Sequence, residues 1–150
     1  MSELTHIDAE GEARMVDVSA NPEQDREAMA RGEIRLAAAT LDAIESGDTA
    51  KGNVLATARL AGIMAAKKTA ELIPLCHPLP ITHAEVDFEI PASLDRIVIT
   101  ASARISAKTG VEMEALTAVS TAALTIYDMC KAIDKQMVIS EISVTSKNKR

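Results

Sequence analysis

The chain has 150 residues and a mass of 15.9 kDa, a length that fits one domain with a buried core and argues against a second folding unit. Apolar residues make up 47% of it but aromatics only 1%, namely Phe88 and Tyr127, so the core must be filled by Ala, Val, Ile, Leu and Met. The net charge of -6 and the lack of aromatic stacking platforms disfavour nucleic acid as a partner, and two cysteines without a charged-then-apolar leader point to a reducing, cytoplasmic setting.

Residues 1–22 are polar and acidic without sustained periodicity and are expected to form a loosely held arm; residues 23–150 are expected to form a single α+β domain. From Glu27 to Leu36 the chain alternates, with Ala28, Ala30, Gly32, Ile34 and Leu36 on one side, which predicts a half-buried strand. A short helix with Leu41 and Ile44 inward should end at Ser46-Gly47-Asp48. A long helix is predicted from about Asn53 to Ile73, where Leu60, Ile63, Met64 and Lys67 recur at three-or-four spacing and Pro74 stops the element.

Ala84, Val86, Phe88 and Ile90 alternate with polar neighbours, then a turn near Pro91 to Asp95 leads to Ile97, Ile99, Ala101, Ala103 and Ile105. These predict an antiparallel pair with one dry face. Thr109-Gly-Val-Glu112 fits a capping box opening an apolar helix that runs to about Asp134. Its charge-free run from Ala115 to Tyr127 is too short and too rich in Thr and Ser for the roughly 20 residues of a membrane span. A last strand carries Ile142 and Val144. The order of strand, helix pair, strand, strand, helix, strand predicts a ferredoxin-like split β-α-β sheet with helices on one face. A core so poor in large side chains would also gain from burial between subunits, which favours an oligomer.

Charge is uneven along this plan. Residues 1–48 hold twelve acidic and four basic residues, whereas the rest holds ten acidic and twelve basic ones and can accommodate a locally basic anion site. Asp128 and Lys131 are three apart and share a helix face. Two readings stand side by side: an ordinary surface ion pair, or a partly desolvated pair with shifted pKa values fit for proton transfer. Lys51-Gly52-Asn53 lies where the second helix begins, where backbone N–H groups and the helix dipole favour phosphate; the bland reading is a solvated lysine. Lys67 and Lys68 are further cationic candidates.

Leu72 to His83 gathers three of the five prolines, two of the three histidines and one cysteine. Cys76 and His77 are adjacent rather than spaced as zinc ligands are, and neighbours on an extended chain point to opposite sides, which also weakens a Cys-His catalytic pair. Pro78 and Pro80 hold the preceding residues extended. The segment is therefore either a rigid rim offering the His77 ring and backbone groups to a ligand, or a stiff turn whose cysteine packs inward.

The motifs Leu72-Ile-Pro-Leu-Cys-His-Pro-Leu, Lys108-Thr-Gly-Val-Glu-Met-Glu-Ala-Leu-Thr-Ala and Ala123-Leu-Thr-Ile-Tyr-Asp-Met-Cys-Lys-Ala closely resemble the molybdenum cofactor biosynthesis protein C family, the cyclic pyranopterin monophosphate synthases. His6, Gly11, Met15-Val-Asp-Val-Ser19, Lys51-Gly52 and Ala56-Thr-Ala-Arg59 extend the resemblance over nearly the whole chain. It implies a ferredoxin-like subunit of a hexamer, a trimer of dimers with active sites between subunits. It also implies a lyase reaction in which a 3',8-cyclised dihydro-GTP becomes cyclic pyranopterin monophosphate and releases diphosphate.

By that resemblance Lys51, Asp128 and Lys131 are the acid–base residues. Leu75, Cys76, His77, Met113 and Glu114 line the substrate pocket, with Glu112, Asp17, Arg26 and Lys67 contributing. No cofactor or protein-held metal is expected; a divalent cation assisting the triphosphate stays an open alternative. The family's tail typically reads Lys-Ser-Gly-Gly-Lys-Ser-Gly, whereas Ser146-Lys-Asn-Lys-Arg150 places Lys147 at the first tail lysine without the glycines. A substrate-binding role for Lys147 is thus a hypothesis. The rival readings are a non-catalytic nucleotide or amino-acid sensing module on the same fold, which needs a pocket but no matched acid and base, and a purely structural assembly subunit.

Overall fold

Small residues on alternate positions, Ala28, Ala30, Gly32 and Ile34, give the first strand one dry side on which helices can settle closely, and the rest of the fold is arranged against it. The computed structural model of the protein describes residues 5–150, so the first four residues of the expected arm lie outside the description. The elements are β1 (Gln24–Arg35), α1 (Ala38–Ser46), α2 (Val54–Lys67), α3 (Thr69–Leu72), β2 (His83–Glu89), β3 (Arg96–Ala107), α4 (Glu112–Cys130) and β4 (Val138–Lys149). The four strands form one antiparallel sheet in the order β2-β3-β1-β4. β1 and β2 therefore run parallel with β3 between them, which is the ferredoxin-like arrangement of an α+β domain.

The register sets the core. Ala28 faces Ala103, Ala30 faces Ala101, Gly32 faces Ile99 and Ile34 faces Ile97, while Val86 of β2 lies opposite Ala101. Onto this face pack Val54, Ala58 and Ala66 of α2 and Ala115, Ala118, Val119, Ala122, Ala123 and Ile126 of α4, all essentially buried. Gly62 brings α2 and α4 together: a Cβ built there would stand 2.9 Å from the Ala118 carbonyl oxygen and 3.0 Å from Val86 Cγ2. Gly47, in the left-handed region at φ 80°, ends α1. The N-terminus of α1 has no cap of its own; Asp134, beyond α4, accepts from the Ala37 N–H at 3.0 Å and the Thr40 hydroxyl at 2.9 Å, so the two segments clasp.

Several details differ from the sequence reading. The predicted 53–73 helix breaks at Lys68 into α2 and the single turn α3, and α4 ends at Cys130 rather than near Asp134. Leu60 and Met64 form an exposed stripe, at 59% and 47% exposure, because the face of α2 that packs is the one with small side chains. The capping box also fails. Val111, not Thr109, is the N-cap residue of α4, no side chain caps it, and the Glu112 carboxylate lies over Gly110 instead.

Residues 5–22 contain no helix or extended strand beyond an isolated bridge between Ile7 and Ala13. They are nevertheless tied to the domain, since Lys108 Nζ donates to the Ser19 carbonyl at 3.1 Å and Asn21 Nδ2 to the Lys108 carbonyl at 3.1 Å.

In an open helix, Gly→Ala is stabilising by up to about 1 kcal/mol. At Gly62 the new methyl meets a backbone carbonyl that cannot swing aside, so Gly62→Ala is expected to destabilise the fold by about 1–3 kcal/mol. A thermal melt checks this, and an unchanged or raised Tm would show that α2 and α4 can part without loss.

Candidate active site

The C-terminal end of α4 carries one cluster. Asp128 projects from its outer face, and Lys131, one turn on, donates to Asp128 Oδ1 at 2.9 Å. Lys51 reaches the same carboxylate from the turn before α2, donating to Oδ2 at 2.7 Å. Gly52, at φ 94°, sets up that turn, and the Asn53 side chain caps α2 by accepting from the Ala56 N–H.

The two ammonium groups, Lys51 first, hold the Asp128 carboxyl at a pKa of about 2. Asp128 in turn raises the Lys131 pKa. All three side chains are about half exposed, and the Asp128 and Lys131 shifts come from hydrogen bonding and charge rather than from the desolvation that one sequence reading proposed. At neutral pH the cluster is an ionised carboxylate between two protonated amines, a proton acceptor beside two proton donors with one net positive charge.

The N-terminal end of α4 carries a second group of residues. Leu75, Cys76 and His77 form one wall of a cleft of about 290 Å³ whose other wall includes Gly110, Glu112 and Met113. The His77 ring is oriented by its Nε2, 2.5 Å from the Val16 carbonyl oxygen, which accepts the ring N–H. Cys76 is half-buried. Its thiol donates weakly to Glu114 Oε2 at 3.8 Å, and burial together with the neighbouring Glu114 and Glu112 carboxyls raises the thiol pKa. Glu114, only 2% exposed, also has a raised pKa, chiefly from burial. Cys76 closes a turn, its N–H donating to the Ile73 carbonyl at 3.2 Å, and its thiol reaches Glu114 while the His77 ring meets Val16.

The remaining sequence candidates gather around this second end. Arg26 and Lys147 line a smaller cleft of about 140 Å³ together with Gly110 and Glu112, and Lys147 Nζ stands 3.5 Å from Glu112 Oε1. Arg26 is steadied by donating from Nε to the Ala107 carbonyl at 3.1 Å. Asp17 is exposed; the Ser19 hydroxyl and N–H lower its pKa, with a smaller pull from His77. Lys67 lines a third cleft, between α3 and Pro78–Pro80, with Glu114.

The two ends of α4 do not meet. Sixteen residues of α4 separate Glu112 from Asp128, a rise of about 24 Å. Sequence reasoning named members of both groups as one site but could not see this gap. It also passed over the backbone of Val16, the ring of His6 and the ammonium of Lys108, which border or brace the His77 cleft. The quoted resemblance included His6, Met15-Val-Asp-Val-Ser19 and the motif around Lys108, but gave these three no role. Among the described residues, no three His, Cys, Asp or Glu side chains converge in a way that would hold a metal ion.

Comparison with known proteins adds a family. A sequence model of the MoaC family matches residues 15–149. The chain is 58% identical to the cyclic pyranopterin monophosphate synthase of Roseiflexus sp. (strain RS-1) over 148 residues, covering 99% of this chain and 94% of that protein. It is 60% identical over 147 residues to the enzymes of the same name from Desulfitobacterium hafniense, covering 97% and 88%, and Novosphingobium aromaticivorans, covering 98% and 92%.

The clasp on Asp128 makes a titration prediction. A carboxyl whose pKa is depressed from 3.8 keeps its charge clasp above the ordinary value and loses it as pH falls through about 2. In an NMR titration the Asp128 side-chain carboxyl carbon should therefore turn over near pH 2. Lys51→Ala should move that midpoint up toward the ordinary range, and by more than Lys131→Ala does. A wild-type midpoint near 4 would mean the clasp does not form in solution.

Proposed function

The chain belongs to the MoaC family, and we propose that it acts as a cyclic pyranopterin monophosphate synthase, rearranging a 3',8-cyclised dihydroguanosine triphosphate to cyclic pyranopterin monophosphate and diphosphate. The observation that carries the assignment of residues is Asp128 held between Lys51 and Lys131 at 2.7 and 2.9 Å. Opening and rebuilding the ring moves protons on and off nitrogen and oxygen. A carboxylate flanked by two amines can take a proton at one atom while a neighbour delivers one at another. The same lysines offer positive charge to the phosphate that cyclises and to the diphosphate that leaves.

Leu75, Cys76, His77 and Met113 hold the base-derived ring in the cleft, with Glu112 on its wall and Glu114 behind the Cys76 thiol. Arg26 and Lys147, in the adjoining cleft, together with Lys67 and Asp17, complete the surroundings of the nucleotide. Glu112 holds Lys147 in reserve, a contact that an incoming phosphate can replace. No cofactor is needed for a rearrangement without net redox change, and a divalent cation on the triphosphate is compatible with the lysines.

An acid or base must come within hydrogen-bond reach of the proton it moves, about 2.6–3.2 Å, and a gap of about 24 Å within one copy does not allow that. The active site is therefore built between two copies. Exposed Leu60 and Met64 of α2 and Leu124 of α4 lie between the two groups, and Asp128 is on the Leu124 face one turn further. A two-fold contact across this outer face sets the Lys51–Asp128–Lys131 end of each copy against the His77 end of the other and completes two sites at once. Burial of these apolar side chains supplies part of the association energy. Three such dimers form the hexamer, and the enzyme works in the cytoplasm, where Cys76 and Cys130 stay as thiols.

The test is to incubate the protein with the cyclised dihydro-GTP and measure pyranopterin and diphosphate. Wild type should produce both, while Lys51→Ala, Asp128→Ala and Lys131→Ala should each lose at least about 100-fold in rate. Binding without turnover by wild type would instead identify a sensing module. Shared sites make a further demand: Asp128→Ala and His77→Ala proteins, each inactive, should regain activity when unfolded together and co-assembled, because some interfaces then pair two intact halves. If the mixture stays as inactive as its parts, both groups must belong to one copy's site. Lys147→Ala should weaken substrate binding more than it slows turnover at saturation.

A further inference from the structure

Within the Asp128 cluster, the two lysines are held in different ways. Lys131 is carried by the end of α4, where its N–H donates to the Tyr127 carbonyl at 2.9 Å. Lys51 instead stands in the exposed connection between Gly47, which ends α1, and Asn53, which caps α2, and its side chain is 53% exposed. An ion pair so open to solvent contributes less than it costs to order even one or two backbone residues. The 2.7 Å contact with Asp128 therefore needs a backbone that is already in position.

Thr49 supplies that position. Its carbonyl accepts the Gly52 N–H at 3.2 Å, and its hydroxyl donates to the Gly52 carbonyl. The two bonds close a tight turn with Ala50 and Lys51 at its centre, and Gly52, at φ 94°, makes the left-handed step that leads into α2. The far side is anchored as well: the Asn53 side chain accepts the Ala56 N–H at 3.0 Å and the Asn53 carbonyl accepts the Thr57 hydroxyl at 2.6 Å. Among the described residues, nothing beyond the chain neighbours lies within 4 Å of where a Gly52 side chain would begin. Packing does not restrain this permissive residue, and the Thr49 hydroxyl does.

We propose that Thr49 is a positioning residue for the proton-transfer cluster: its hydroxyl, bonded to the Gly52 carbonyl, locks the turn so that the Lys51 ammonium is delivered to Asp128 from outside α4. The inference rests on the reading of Lys51, Asp128 and Lys131 as the acid–base group. Thr49 acts through Lys51 and not on the substrate. Its contribution is preorganisation, since a proton-transfer group displaced by about 1 Å can cost about 100-fold in rate. The sheet and the seam between α2 and α4 do not depend on it, because Thr49 lies outside the buried core.

The experiment uses the assembled full-length protein and compares Thr49→Val, which keeps the branched shape and loses the hydroxyl, with Thr49→Ser, which keeps the hydroxyl. The first measurement needs no substrate. In the NMR titration of the Asp128 carboxyl, Thr49→Val should raise the midpoint from about 2 toward that of Lys51→Ala, and Thr49→Ser should leave it at the wild-type value. The second is turnover of the cyclised dihydro-GTP, in which Thr49→Val should lose about tenfold in kcat with a smaller change in KM, and Thr49→Ser should restore the rate. The third places Thr49→Val in the Lys51→Ala background, where it should cost nothing further, because a residue that acts through Lys51 has no role once Lys51 is gone. Thermal melts of both Thr49 variants should stay near wild type.

An Asp128 midpoint unmoved by Thr49→Val overturns the proposal. So does a Thr49→Ser protein as slow as Thr49→Val, an added loss in the Lys51→Ala background, or a fall in Tm that tracks the loss of rate, each of which marks a general structural role. Turnover by wild type with an unmoved midpoint refutes this inference alone. A wild type that does not turn the substrate over refutes the assigned reaction, and the midpoint shift then still decides whether Thr49 holds Lys51 against Asp128.

Discussion

Everything about the placement of functional groups follows from how closely α2 and α4 approach. Gly62 lets α2 lie against the backbone of α4 at Ala118, and Ala58, Ala65 and Ala66 continue the small-residue face. In this antiparallel pair, the turn before α2 is brought beside the end of α4, and the end of α2 beside its beginning. Lys51 can thus reach Asp128, and Lys67 can border the cleft that holds Glu114. A larger residue at the crossing would push the helices apart and disturb both ends at once.

One helix therefore carries carboxyl groups in two opposite electrostatic states. Asp128 sits in solvent between two ammonium groups, which favour its charge. Glu114, four turns earlier, is buried without a cation, which disfavours its charge. The difference is not in residue type but in what the neighbouring segments bring: a lysine-bearing turn at one end, a proline-stiffened ledge with a thiol at the other. A reaction that must both move protons and hold a neutral heterocycle can use both.

The ledge owes its usefulness to stiffness. A turn closed by the Cys76 N–H on the Ile73 carbonyl leads into Pro78 and Pro80, which restrict His77 and Leu79; the Cys76 thiol faces Glu114 while the His77 ring bonds the Val16 carbonyl of the N-terminal segment. Residues 5–22, which make little regular structure, thereby become a wall of the cleft. Their attachment through His77, Lys108 and Asn21 depends on contacts far apart in sequence.

The strands and their dry faces were legible in the sequence because side-chain alternation has a period of two and each call needs only local residues; Ile97, Ile99, Ala101, Ala103 and Ile105 lie on the predicted side. The βαββαβ order then left few topologies open. The spacing of Leu60, Ile63, Met64 and Lys67 identified α2 as a helix without saying which face packs; the seam is made of Ala and Gly, whose value lies in permitting close approach rather than in burying area. The capping box was misread because its motif satisfies a local rule that Glu112 abandons for a distant lysine. By itself, then, the sequence determined the fold class, the rigid ledge and the identity of the chemical groups. Only the tertiary structure decided that Lys51 and Lys131 share one carboxylate, that Glu114 is buried without a cation, and that the two groups stand a helix length apart, since each of these depends on distances between segments that no spacing along the chain encodes.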